Sequence, residues 1–327
     1  VNFKTFKYDS LMLLTAVIWG FAFVAQRVGM EHVGPFTFNA LRFALGALVL
    51  IPIIIMQPRN WSLRGNAATK QSHFPPYVST GEHKGGPINS AVRCLHLTAN
   101  PLLLGAFLSG LALFGGSTFQ QIGIIYTTAG KAGFITGLYV ILVPISGALW
   151  GQKIGLNTWL GALFVTLGLY LLTMTGLFSI NLGDGLVLVC ALFWTVHVHL
   201  IGYFSTRVDV IKLAFLQFAV CSLLSLVIAL IIETNSLASI LKAALPILYA
   251  GCLSVGIAYT LQVVAQRHVP PSHAAIILSL EAVFAGIGGW LILGEVLSFR
   301  GFLGCLLMLA GMVVSHLHRH ADTSLRA

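Results

Sequence analysis

Charge is scarce in this chain. Of its 327 residues only 8% are Asp, Glu, Lys or Arg, and only nine are acidic. An ordinary soluble domain carries about 25% charged residues. With 57% hydrophobic residues and a mean hydropathy of +0.92, so few charges cannot cover a soluble surface, and the apolar exterior needs lipid. Cysteine is sparse too. Cys190, Cys221, Cys252 and Cys305 lie in apolar runs and Cys94 in a polar stretch. An odd number without close pairing argues against a disulfide framework. There is no G-X-Y period, which excludes a collagen-like fibre, and the apolar content excludes a disordered chain. A Walker A loop, a Gly-rich nucleotide loop, a Ser/His/Asp set and a Cys/His cluster at metal spacing are all missing from the sequence. No cofactor, no metal and no enzymatic chemistry are therefore expected. A cleavable signal peptide is not expected either, because the first apolar run is too long and no small-residue cleavage site follows it.

What is present is a series of apolar runs. A spanning helix needs roughly 20 such residues, and ten candidates occur, at about 10–29, 35–56, 101–125, 130–150, 158–176, 184–203, 210–232, 244–265, 272–293 and 299–317. Turn and cap residues punctuate them, as at Gly34-Pro35, Asn157-Thr158, Asn181 to Asp184 and Pro270-Pro271-Ser272. The net charge of +9 would suggest nucleic acid in a soluble protein. Its distribution gives a simpler account. With the N-terminus inside, the cytoplasmic segments hold thirteen Lys and Arg (Lys4, Lys7, Arg59, Arg64, Lys70, Lys84, Arg93, Lys153, Arg207, Lys212, Arg267, Arg319 and Arg326). The outer segments hold four, Arg27, Lys131, Lys242 and Arg300, and Arg42 lies within a span. This is the positive-inside pattern, and it predicts a multi-pass protein of the cell (inner) membrane with both termini cytoplasmic.

The chain also repeats itself. Trp19 pairs with Trp194, and Leu41-Arg42-Phe43-Ala44 with Leu216-Gln217-Phe218-Ala219, at an offset of 175. Gly151, Gly161 and Gly168 pair with Gly294, Gly304 and Gly311 at an offset of 143. Spans 1–5 thus match spans 6–10. An odd number of spans per copy forces the copies into opposite orientations, the inverted-repeat plan of many secondary transporters. The predicted fold class is an all-α membrane protein of ten transmembrane helices in two inverted five-helix repeats, 1–176 and 177–317, with a cytoplasmic tail 318–327. The two offsets differ by about 32 residues. The first copy therefore carries an insertion, and only the polar stretch 57–97 can hold it. A cytoplasmic, largely disordered loop is expected there.

These repeats resemble the EamA-like branch of the drug/metabolite transporter superfamily. The carrying residues are Ala16-Val17-Ile18-Trp19-Gly20, Leu41-Arg42-Phe43, Lys131 to Tyr139 followed by Val143-Pro144, Leu280 to Ala285, and Leu293-Gly294-Glu295. Two positions depart from the family pattern. Ala282 stands where Pro often follows the span 9 Glu, and Gly151-Gln152 replaces a Gly-Glu. The resemblance implies a central cavity between the repeats, alternating access, and transport of amino acids, other metabolites or drug-like compounds, often as efflux. Energy would come from a gradient.

Ionisable groups inside spans are costly and mark functional positions. Glu281 lies about nine residues into span 9, roughly 14 Å from its end, close to the midplane. It could bind a substrate amine or carry a proton, or serve as a structural cap. Arg42 presents a fork suited to carboxylates. It could hold an anionic substrate group, or brace helices by binding carbonyls or Glu281. Span 6 places Trp194 and His197 on one face; His197 could relay protons or sit as a neutral core residue. His199 is two positions further and cannot readily share a metal with it. Trp19 and Trp194 would form an aromatic wall if they face the cavity. Tyr139, Gln120 and Gln262 add polar groups at related depths, as do Gln121, Thr136 and Tyr259. His316, His318 and His320 form a weak metal-like tract, read as a solvated tail.

The expected partners are a small-molecule substrate, the lipid bilayer and protons as a coupling ion, with a homodimer left open and nucleic acid not expected. Two other function classes compete. One is a membrane-embedded scaffold or sensor using 57–97 to bind a partner. The other is a membrane enzyme pairing His197 with Glu281.

Overall fold

The computed structural model describes residues 3–57, 100–126, 129–173, 181–234, 236–294 and 298–324. The expected insertion at 57–97 therefore falls, apart from Gln57, outside the described residues. Those residues are helical and contain no strand. The first three helices are α1 (Phe3–Met30), α2 (Pro35–Met56) and α3 (Pro101–Tyr126). Next comes α4, which is Ala129–Gly137 continued by Tyr139–Leu149, and then α5 (Leu156–Thr173), α6 (Leu182–Phe204) and α7 (Val210–Ile232). After the short helix Leu237–Lys242, α8 joins Ala244–Leu248, a π-helical stretch Tyr249–Tyr259, and Thr260–Gln266. The last two are α9, Pro271–Leu278 continued by Glu281–Leu293, and α10 (Phe299–Ser324). Eight of these are long and apolar enough to cross a bilayer, and α5 and α10 add shorter apolar stretches, Leu156–Leu172 and Phe299–Ser315. Two ends differ from expectation. Helix α1 starts at Phe3, before the apolar run, and α10 stays helical through Ser324, into the segment read as a tail. Backbone hydrogen bonding carries each helix past the end of its hydrophobic stretch.

Lipid offers no partner to backbone N–H and C=O groups, so each span closes its own ladder. Side chains such as Leu103, Leu163, Leu223, Leu230, Ile231 and Leu306 remain exposed on the outer faces. Helix starts are satisfied locally where polar residues allow. Asn181 and Asp184 form a reciprocal cap on α6, at 2.9 and 3.0 Å, and the Asp209 carboxylate accepts from Ile211 and Lys212 N–H at 3.0 Å each on α7. Helix α2 starts with Gly34-Pro35 and has no such cap of its own. Glu233, at the end of α7, supplies it by accepting from the N–H groups of Phe36 and Thr37, both at 2.8 Å.

The packing is pseudo-symmetric. Helix α2 lies against α7, and α5 against α10, each pair relating one repeat to its equivalent. Helix α3 packs on α6 as α8 packs on α1, and α4 packs on α6 as α9 packs on α1. The first helix of each repeat is therefore embedded in the other repeat. The α5–α10 pair stands apart from the centre and comes together at small residues, as membrane helices do when van der Waals packing drives association. A Cβ on Gly161 would lie 2.7 Å from the Gly311 carbonyl oxygen, and one on Gly168 would lie 2.6 Å from that of Gly304.

One polar cluster forms only in three dimensions. Asp9 of α1, His273 at the start of α9 and Ser315 of α10 meet, with His273 Nε2 3.6 Å from Asp9 Oδ2 and Ser315 Oγ 3.1 Å from His273 Nδ1. The sequence displays no Ser/His/Asp set because the three residues lie on helices far apart in the chain. Ser315 donates its hydroxyl proton to the Met312 carbonyl at 2.9 Å, so the cluster ties three helices together.

The close α5–α10 approach yields a direct test. Gly168→Leu would force the backbones apart, and overpacking of this kind costs about 1–3 kcal/mol. We expect a lower thermal unfolding midpoint and a reduced monodisperse fraction in detergent, measured by size-exclusion chromatography after heating.

Candidate functional site

The centre of the bundle depends on two helices that change pitch at the same level. In α9 the Leu280 N–H bonds to the Ile277 carbonyl at 3.2 Å, one residue short of the α-helical partner. The Ser279 hydroxyl takes over the Ile276 carbonyl at 2.8 Å. The helix restarts at Glu281, whose carboxylate thus enters the first turn of the second half. In α4 the Leu138 N–H bonds to the Ile135 carbonyl at 3.2 Å, and the helix restarts at Tyr139. The repeat offset places Leu138 opposite Glu281 and Thr136 opposite Ser279. Both copies therefore break within one residue of the same register, but only the second puts a charge there.

Helix α1 presses against the α9 kink. A Cβ on Gly20 would lie 2.7 Å from the Glu281 carbonyl oxygen and 2.4 Å from Phe284 Cβ. Glycine lets the two backbones meet and sets Trp19 beside Glu281. The indole Nε1 of Trp19 donates to the Ser254 carbonyl at 3.2 Å, within the π-helical stretch of α8. The wider turn of that stretch also presents Tyr259. Its ring lies 4.4 Å from Trp19 and 6.1 Å from Trp194, centroid to centroid. Phe43 and Phe218 flank the same ring at 6.1 and 6.2 Å.

These elements line a partly open cavity with about 40 Å³ of free volume, bounded by Trp19, Ala22, Phe23 and Gln26 of α1, Arg42 of α2 and Gln120 of α3. The lining continues with Thr136 and Tyr139 of α4, Trp194 and Val198 of α6, Ser254, Tyr259 and Gln262 of α8, and Leu278 and Glu281 of α9. Seven of the eight residues singled out from sequence line it: Glu281, Trp19, Trp194, Tyr139, Gln120, Gln262 and Arg42. His197 is not among them. It is fully buried behind Trp194, where its Nε2 donates to Gln217 Oε1 at 3.0 Å and its ring meets Trp194 edge-on at 5.8 Å. Among the described residues no hydrogen bond or ion pair joins His197 to Glu281. His199 lies elsewhere, tying α6 to α4, with Nε2 2.9 Å from Ser146 Oγ and 3.2 Å from the Val143 carbonyl. The side chains of His316, His318 and His320 lie outside the described residues. Among those described, no three His, Cys, Asp or Glu residues converge as metal ligands.

The cavity is rich in polar atoms without a protein partner. The Tyr139 hydroxyl, Thr136 Oγ1, Gln26 Oε1, Gln262 Oε1 and Arg42 Nε are buried and make no hydrogen bond. Gln262 Nε2 donates to Gln266 Oε1 at 2.8 Å, and Gln266 Nε2 to the Val198 carbonyl at 3.0 Å. Arg42 and Glu281 do not pair, so the brace between them that the sequence left open is not formed. Gln121, one residue beyond Gln120, is fully buried with both amide atoms unpartnered and does not line the cavity. Sequence reasoning missed Phe23, Gln26 and Ser254. Phe23 and Gln26 sit one and two turns beyond Trp19 on α1, a spacing that points the same way. Ser254 depends on the π-helical stretch, which leaves no mark in an apolar run.

The profile of the EamA-like transporter family matches residues 6–174 and again residues 181–317. The chain belongs to that family. An uncharacterized transporter of Archaeoglobus fulgidus is 29% identical over 94% of this EamA-like chain and 84% of its own. The uncharacterized transporter YoaV of Bacillus subtilis is 23% identical over 93% and 94% of the two chains. One crystal structure superposes with a TM-score of 0.67 at 19% identity, over 94% of this chain and 96% of that one, which speaks for the fold alone. The EamA-like protein is thus a multi-pass membrane transporter with two family repeats, and its cavity lies where they meet.

The buried His197–Gln217 bond is read here as a brace. Gln217→Leu should lower the thermal unfolding midpoint, since leaving a buried donor unpaired costs about 1–3 kcal/mol. Ligand affinity should change less than about twofold. Scanning fluorimetry with and without a transported solute checks both.

Proposed function

We propose that this EamA-like protein is a secondary transporter that exports small metabolites, amino acids or drug-like compounds by alternating access through the central cavity. The observation that carries the reading is the cavity itself. It sits at the junction of the repeats, is walled by aromatic rings, and gathers Glu281 with several unpartnered polar atoms at two matched helix kinks. Discontinuous helices meeting at the midplane are the recurring site plan of inverted-repeat transporters. The free volume of about 40 Å³ holds roughly three water centres. A metabolite enters only when the helices part, as alternating access requires. The aromatic wall suits apolar or cationic parts of a solute, and the sparse polar groups would fix its orientation. In this reading Glu281 carries the coupling proton or binds a substrate amine. The membrane is the cell (inner) membrane, with both termini cytoplasmic, consistent with the placement of Lys and Arg, and the chain performs no covalent chemistry.

The test is counterflow and uptake in proteoliposomes of wild type and Glu281→Gln, with a metabolite panel and an imposed pH gradient. Wild-type uptake should follow the gradient, with the equilibrium accumulation ratio rising about tenfold for each pH unit when one proton is exchanged per solute. Glu281→Gln should keep exchange and lose that dependence. Equal responses from both proteins would remove Glu281 as the proton carrier. Folded protein without counterflow of any panel member would remove the transport reading in this form.

A further inference from the structure

We propose that Arg42 is the receptor for a carboxylate on the transported solute, which makes small organic acids and zwitterions the preferred cargo. This rests on the transport reading above. Arg42 is 2% exposed and lines the cavity. Among the described residues its guanidinium makes no hydrogen bond and no ion pair, and Nε is buried without a partner. Its guanidinium carbon lies 5.5 Å from the Phe38 ring and 4.9 Å from the Phe43 ring. Such rings attract the cation and hold its plane, but they offer no acceptor to its N–H groups. A charge taken this far out of water without a counter-charge is strongly unfavourable. A group arriving with the solute is the available compensation.

The second repeat is an internal control. The offset of 175 that pairs Trp19 with Trp194 also pairs Arg42 with Gln217 and Ala22 with His197. In the second copy the two side chains bond to each other, His197 Nε2 donating to Gln217 Oε1 at 3.0 Å. In the first copy Ala22 has no polar group to offer, and it lines the same cavity as the unpaired guanidinium. One copy closes this position with its own side chain and the other leaves it open toward the solute.

The charge inventory narrows the ligand. Arg42 is the one Lys or Arg among the lining residues, and Glu281 is the one acidic residue, with no contact between them. A doubly charged phosphate would face a single cation and an opposing carboxylate. A monocarboxylate matches the single charge, and its two oxygens match the planar fork of Arg. Glu281 then remains for an ammonium group or a proton elsewhere in the cavity.

The experiment uses acid and amide pairs that differ only in the group read by Arg42: phenylacetate with phenylacetamide, phenylalanine with phenylalaninamide, and propionate with propionamide. Binding to the full chain in lipid nanodiscs is followed by ligand-dependent thermal shift, and the same pairs are then run in counterflow. Wild type should prefer at least one acid over its amide by about tenfold or more, because a site built for a polar group rejects the analogue lacking it. Arg42→Gln, which installs the residue of the other repeat, should erase the preference, and Arg42→Lys should retain part of it. Ala22→Glu should also erase it by pairing with the guanidinium, which keeps the test decisive if Arg42→Gln does not fold. Equal binding of acids and amides by wild type, or a preference that survives Arg42→Gln, overturns the proposal. Counterflow of neutral members without any acid preference would sink this inference and leave the transport reading standing. Folded protein with no counterflow of these pairs or of the wider panel would remove both.

Discussion

The contact between α1 and the kink of α9 at Gly20 governs the geometry of the whole centre. No side chain separates the backbones there, so the Glu281 turn sits directly against the helix that carries Trp19. That approach places a carboxylate beside an indole near the middle of the bundle. The indole in turn holds the π-helical stretch of α8 through the Ser254 carbonyl, and that stretch presents Tyr259 between the two tryptophans. A side chain at position 20 would disturb all three relations together. Packed interiors shift between discrete arrangements rather than deforming smoothly, so a site assembled around one tight contact is well suited to two states.

The two repeats share a frame and differ in detail. Both kink within one residue of the same register in their fourth helices, both contribute a tryptophan from their first, and both embed that first helix in the other repeat. Yet Glu281 faces Leu138 across the repeat relation, Arg42 faces Gln217, and the π-helical α8 corresponds to α3, which is regular throughout. The symmetric features are those that packing in lipid demands. The asymmetric ones place the two charges of the cavity, Arg42 and Glu281, and the widest turn beside it. Chemistry in this fold is concentrated where the copies have diverged.

Much of the architecture was legible because lipid is an undemanding reader of side chains and a strict reader of length. Runs of about 20 apolar residues, broken by Gly34-Pro35, Asn181 or Pro270-Pro271, could mean little else. The repeat appeared through Trp19 and Trp194 because large residues survive as landmarks. The membership of the cavity was legible for a related reason. Glu281, Arg42, Gln120 and Gln262 are polar in apolar helices, and such groups turn inward. His197 obeys the same rule yet stops one layer behind, because turning inward places a residue in the bundle without deciding between cavity and core. Gln217 decides it, and that partnership joins α6 to α7 across the polar turn at Ser205 to Asp209. The Asp9–His273–Ser315 tie and the Glu233 cap on α2 were illegible for a stronger reason. Each joins helices from both repeats, and only the tertiary fold sets those distances.

The unpaired polar atoms give the cavity its direction of argument. A folded protein normally pairs its buried polar groups, as Glu233, Asp209, Asn181 and Ser315 do here. Unpartnered atoms also occur along the spans, as at Asn39, Ser109, Gln121 and Ser225, but a tyrosine hydroxyl, a threonine hydroxyl, two amide oxygens and a guanidinium nitrogen gather around one small space. Their convergence on the level of two matched kinks, beside the two charges of the cavity, is what a solute site requires. Each atom costs stability while it is unpaired and returns that cost when a ligand supplies the missing partner. On the transport reading, binding energy is thereby tied to the same contacts that hold the helices in their present arrangement.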